Sequence, residues 1–163
     1  LLDEVSVDAA RFFFNESKPT SPVDFDLDLA VREDSENPVY YVQYAHARIC
    51  SLVSKLKAEE GMTVPPAGKV DAALLQSPEE LALLKTLARF PEELKLAGRE
   101  LDPSQINRYL VSLAGDFHRF YNANRIKGED HPLAQARLKL ADSVRGVLEN
   151  GLNLIGVSAP EKM

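Results

Sequence analysis

Four prolines constrain this chain's fold before any other feature is considered. Asn37-Pro38, Ser77-Pro78 and Asp102-Pro103 each place a capping residue before a proline, and His131-Pro132 plays a similar starting role. Proline lacks an N–H that the first helical position does not need, and its fixed φ suits a helix there. Each of these points precedes apolar residues recurring at three- and four-residue spacing. The spacing predicts helices over roughly 38–59, 78–90, 92–100, 103–126 and 132–155. Phe90-Pro91 reads as a break or kink, GMTVPPAGK (61–69) as a loop, and Gly128 and Gly156 as helix stops.

The stripes that such helices would bury are explicit. Val42, Ala45, Ile49, Leu52, Val53 and Leu56 form one, and Ile106, Leu110, Leu113, Phe117 and Phe120 or Tyr121 a second. Leu133, Leu140, Val144, Leu148 and Leu152 form a third. No strand pattern survives after residue 30, so the expected fold is all-α, an antiparallel helix bundle. With 163 residues the chain can bury one good core, or one domain plus a partial one.

The opening segment is different. Leu1 to Asn15 reads as two short helical pieces, with Ser6 a plausible cap, and SKPTSP (17–22) as a loop. Asp24, Asp26 and Asp28 alternate with Phe25, Leu27 and Leu29, which predicts a short extended piece with one wet face. Three carboxylates on one face could bind a divalent cation, although solvated acids need no ligand. The chain opens on LLDEV without an initiator methionine, as a fragment lacking its upstream part would.

A net charge of −6 argues against nucleic acid until it is mapped. Residues 1–37 hold ten acids and three bases, whereas residues 38–163 hold sixteen bases and fifteen acids. Within 103–145 seven bases face four acids, so a small, focused phosphate contact is compatible with the acidic total.

Catalytic and metal chemistry find little support. His46 and Cys50 stand at i, i+4, but no second ligand pair has usable spacing, and His118 is far off in sequence. There is no nucleophile elbow and no phosphate loop, and the single cysteine cannot form an internal disulfide. No catalytic residue, metal or cofactor is expected in this chain. No signal peptide or long apolar span is visible, so a soluble cytoplasmic protein without a membrane partner is expected.

Tyr41, Tyr44 and Arg48 share a helix face beside the first stripe. Two rings and a guanidinium at a helix rim could stack on an unpaired base and hold its phosphate. Two snorkelling tyrosines and a surface arginine would look the same in sequence.

The string YYVQYAHARIC, preceded by DFDLDLA, resembles the junction in arginyl-tRNA synthetases between the class I catalytic region and the helical anticodon-binding domain. Gln43-Tyr44-Ala45-His46-Ala47-Arg48 is its most specific part, and the resemblance runs to the final GLNLIGVSAPEKM. It implies that residues 1–36 are the tail of the catalytic region and 37–163 the DALR-type anticodon-binding domain. Phe120-Tyr121-Asn122-Ala123-Asn124-Arg125 is similar to a family motif whose tyrosine packs on the anticodon loop; the family usually has cysteine where Asn124 stands. The tail Ala159 to Met163 is similar to the family's natural end, whose last methionine reaches that loop. The resemblance thus implies tRNA binding by Tyr41, Tyr44, Arg48, Tyr121 and Met163, meeting on one concave patch. Asp142-Ser143-Val144-Arg145 stands where the family has Asp-Ala-Leu-Arg, and reads as a structural i, i+3 pair.

For the parent enzyme the resemblance implies ATP- and Mg-dependent attachment of arginine to tRNA. The two short ATP-binding signatures of that chemistry are not in this sequence, so the fragment should not activate arginine. The implied partners are arginine-specific tRNA and the missing N-terminal and catalytic domains of the same chain, in a monomer. A helical protein-interaction scaffold without RNA binding is the alternative, and its mark would be a contiguous apolar patch outside the core. A related domain from the cysteinyl enzyme is a further alternative, against which the QYAHAR string argues.

Overall fold

The computed structural model describes residues 4–18, 21–22 and 24–163. These residues form α1 (Val7–Glu16), α2 (Leu27–Ala30), α3 (Pro38–Glu60), α4 (Pro78–Ala88), α5 (Phe90–Glu100), α6 (Ser104–Ala123) and α7 (His131–Leu154). Two single 3₁₀ turns, Ala67–Lys69 and Ala72–Leu74, lie in the long connection between α3 and α4. There is no strand among the described residues.

Local chemistry accounts for the helix starts. Asn37 Oδ1 accepts the Val39 N–H at 3.2 Å, and its Nδ2 donates to the Arg32 carbonyl at 2.8 Å, fixing the entry into α3. Ser77 and Glu80 form a reciprocal capping box at α4. Asp102 Oδ1 accepts the Ser104 N–H at 3.0 Å at the start of α6. The starts of α5 and α7 are exceptions: neither Arg89 nor Asp130 makes a side-chain cap bond. Gly61 ends α3 and Gly156 follows α7, with φ of +65° and +71°. Gly128 is no helix stop. Asn124, in an extended conformation, already ends α6, and Gly128 turns the loop beyond it.

Helix α6 is the centre of the molecule, packed against α1, α3, α4, α5 and α7. Its Leu110, Leu113, Phe117 and Phe120 are fully buried, in one core with Ile49, Leu83, Leu138 and Leu148. At Gly151 of α7 an added Cβ would stand 2.5 Å from Leu110 Cδ2, so glycine there permits the close approach of α6 and α7. Within this bundle α3 and α6 run side by side in the same direction. Tyr41 meets His118, Arg48 meets His118 and Tyr121, and Glu59 pairs with Lys127.

The opening segment departs from expectation. Among the described residues one helix, capped by Ser6, forms there, and its Phe12 and Phe13 enter the main core. Residues 1–3 lie outside the described residues. The expected extended piece is a helical turn instead, because Asp26 Oδ1 captures the Leu29 N–H at 3.0 Å. A local cap wins over an alternation only a few residues long. Asp24, Asp26 and Asp28 therefore do not form a carboxylate face on a strand.

Candidate nucleic-acid interface

Residues three and four apart on a helix share a face, so α3 presents Tyr40, Tyr41, Tyr44 and Arg48 together, and α6 presents His118, Tyr121 and Asn122. The parallel run of the two helices sets these faces against each other. The Arg48 guanidinium carbon lies 5.0 Å from the Tyr44 ring centroid and 4.8 Å from that of Tyr121. Tyr40 lies nearly parallel to Tyr44, with centroids 6.1 Å apart. Four flat groups thus stack in sequence: Tyr40, Tyr44, Arg48, Tyr121.

His118 fills the space beneath this stack. Its ring lies 4.8 Å from Tyr41 and 5.9 Å from Tyr44, centroid to centroid. Arg48 Nη1 donates to His118 Nδ1 at 3.2 Å, so the neutral ring carries its hydrogen on Nε2. Burial, with help from the Arg48 charge, lowers the His118 pKa to about 4, so the ring is neutral at physiological pH. Nε2 is itself buried without a hydrogen-bond partner among the described residues. Ser35, Tyr40, Tyr41, Tyr44, Arg48, His118 and Asn122 line a hollow of about 330 Å³. It offers ring faces, a fixed cation and hydrogen-bonding side chains in one place. That combination suits an unpaired base and its phosphate.

The other flank of α3 has a different task. Gln43 and His46 point roughly 160° around the helix from Tyr41, Tyr44 and Arg48, at 100° per residue. Both are buried. Gln43 Nε2 donates to Asp8 Oδ2 at 2.9 Å and to the Ser158 carbonyl at 3.0 Å. His46 Nδ1 donates to the Pro160 carbonyl at 2.9 Å. These contacts hold the C-terminal tail along α3, where α1 holds it too. Arg11 donates to the Gly156 carbonyl at 2.7 Å, and the Ser158 N–H donates to Asp8 Oδ1 at 3.1 Å.

The structure therefore gathers Tyr41, Tyr44, Arg48 and Tyr121, with Tyr44 36% exposed and the other three half-buried. Met163 is not among the residues lining the hollow. It is 54% exposed, at the end of the tail anchored on the opposite flank. Three residues beyond Pro160 reach about 10 Å at most, which is about the width of the helix they would have to round. Tyr40, His118 and Asn122 join the cluster without having been singled out in sequence. Tyr40 was findable, being one turn before Tyr44. His118 and Asn122 were not, because nothing in the sequence gives the relative direction of α3 and α6.

The remaining sequence candidates are structural. His46 is committed to the tail, and its nearest ring nitrogen is 3.9 Å from Cys50 Sγ. The described residues contain no group of three or more His, Cys, Asp or Glu placed to hold a metal ion. Burial disfavours ionised Asp142, but bonds from Arg145 and Lys139 prevail and hold it below the ordinary carboxylate range. Asn124 turns inward. Its Nδ2 donates to the Phe120 carbonyl at 3.2 Å, and its Oδ1 accepts from Arg137 at 3.3 Å. No helix among the described residues is long and apolar enough to cross a membrane.

Comparison with known proteins points to one family. The DALR anticodon binding domain matches residues 42–163. Over all 163 residues the chain is 51% identical to the arginine–tRNA ligase of Acetivibrio thermocellus, and spans 29% of that protein's length. It is 52% identical to the arginine–tRNA ligase of Carboxydothermus hydrogenoformans, again spanning 29% of it. The arginyl-tRNA synthetase of Thermus thermophilus has a similar structure, with a TM-score of 0.82 at 30% identity. That similarity covers 98% of this chain and 27% of the other.

Proposed function

The chain belongs to the DALR anticodon binding domain family, and from that premise we propose that it reads the anticodon loop of arginine-specific tRNA as part of an arginyl-tRNA synthetase. One observation carries the reading: the guanidinium of Arg48 lies between the Tyr44 and Tyr121 rings, beside a hollow that stays open to solvent. Tyr41, Tyr44 and Tyr121 supply aromatic surface and hydroxyls, and Arg48 supplies charge to a phosphate or a base edge. Met163 adds a peripheral contact from the tail's flank, where its thioether can pack on a base.

In this reading residues 1–36 are the tail of the catalytic region and 37–163 the anticodon-binding domain. Exposed Val7, Phe14, Leu27 and Val31 all lie on or just after α1 and α2, before the matched family residues. They supply the apolar surface on which an upstream region of the same polypeptide would pack. The parent enzyme would join arginine to tRNA in the cytoplasm, as a monomer. Its ATP and Mg sites would lie in that upstream region, not in this chain. Affinity for arginine-specific tRNA against an anticodon-swapped transcript tests the reading. A loss of roughly tenfold or more on swapping is expected, and equal affinities would refute it.

A further inference from the structure

We propose that a second hollow, on the other side of the Arg48–Tyr121 stack, holds a neighbouring unpaired nucleotide by its ring face and phosphate, without reading its base. The proposal rests on the anticodon-loop reading and extends it along the RNA strand. This open hollow measures about 360 Å³ and is lined by Leu52, Tyr121, Asn124, Arg125, Ile126 and Lys127. Arg48 lines the first hollow and Tyr121 the second, so the stacked pair stands as a ridge between two cavities. A strand crossing that ridge would set successive bases on either side of it.

The two cavities differ in what they offer. The first presents an amide, several hydroxyls and a guanidinium, all able to address a base edge. The second presents Leu52, Ile126 and the Tyr121 ring, which are surfaces for stacking. Its one amide, Asn124, is occupied internally by Phe120 and Arg137. Two cations stand at its rim. Lys127 is paired with Glu59, whereas Arg125 is exposed and forms no ion pair among the described residues. Stacking tolerates any base, and one cation on one phosphate carries no sequence information. The second cavity is therefore a sequence-blind subsite.

The test is the salt dependence of tRNA binding by the full chain, unaltered and as Arg125→Ala. Two transcripts, arginine-specific and anticodon-swapped, serve as probes. Arg125→Ala should weaken both by the same factor, roughly three- to tenfold, and reduce the slope of log affinity against log salt by about 0.7. Arg125→Lys should restore the slope. An unchanged slope in Arg125→Ala would overturn the subsite, and a loss confined to one transcript would overturn its indifference to sequence. Failure of the unaltered chain to bind either transcript would remove the anticodon-loop reading and this subsite together. Binding by the unaltered chain with no effect of Arg125→Ala would remove the subsite alone.

Discussion

The two flanks of α3 come from the same short string, YYVQYAHARIC, yet behave in opposite ways. On one flank Gln43 and His46 are buried, and their donors meet oxygens of Asp8, Ser158 and Pro160. On the other flank Tyr41, Tyr44 and Arg48 touch neighbours mainly through their flat faces, with one bond from Arg48 to His118, and part of each remains open. A buried polar group whose partners are all supplied by the protein contributes to the fold and has nothing left for a ligand. A planar group held by stacking is positioned by the fold and keeps its edge, with its hydroxyl or N–H donors, for a ligand. Being polar or aromatic at a helix edge says little by itself. What matters is how much of a side chain's bonding capacity the protein has already used.

Substitutions can separate the two flanks, and the largest effect should come from the satisfied one. Gln43→Ala with His46→Ala should lower unfolding stability by roughly 2–5 kcal/mol, read by urea denaturation, because it removes two buried side chains and the bonds that tie α1 and the tail to α3. A loss of stability as small as that of Tyr44→Ala would erase the distinction between the flanks. Next, Tyr121→Ala should weaken tRNA binding by roughly ten- to a hundredfold, with helix content by circular dichroism retained. Arg48→Lys keeps the charge but not the plane that stacks on two rings, and should weaken binding by roughly three- to tenfold.

A smaller effect concerns His118. Its folded pKa is near 4 against an ordinary 6.5, so between those values the unfolded chain takes up a proton that the folded chain refuses. The His118 contribution to stability is thus complete above about pH 6.5 and is lost as pH falls toward 4. Urea midpoints across that window should fall less steeply in His118→Gln than in the unaltered chain; parallel curves would contradict the burial of the ring. The smallest effect is expected from Met163→Ala, a loss of affinity of about threefold or less. A loss equal to that of Tyr121→Ala would mean that the tail leaves its flank when RNA binds.

Most of the bundle was legible because its helices announce themselves locally. Proline after a cap and apolar residues at helical spacing located α3, α4, α6 and α7 to within a few residues. Tyr41, Tyr44 and Arg48 were legible for the same reason, since three- and four-residue spacing specifies a face. What failed was either too short or too distant. The alternation around Asp26 covered too few residues to outweigh one capping hydrogen bond. The meeting of His118 with Arg48 joins positions 70 residues apart and depends on how two helices are oriented. The same limit applies to Gln43 and His46. Their string supported the family resemblance, while their task of holding the tail became visible only with the tail in place.

The bond between Asp8 and Ser158 also bears on how the molecule assembles and comes apart. It links positions 150 residues apart, so forming it early would close a loop of almost the whole chain before the core exists to compensate. The first helix and the tail should therefore dock after α6 has collected its neighbours, and should be among the first parts to open. Native-state hydrogen exchange should find the Ser158 amide exchanging well before those of Leu110 and Leu113, through partial openings that leave the bundle standing.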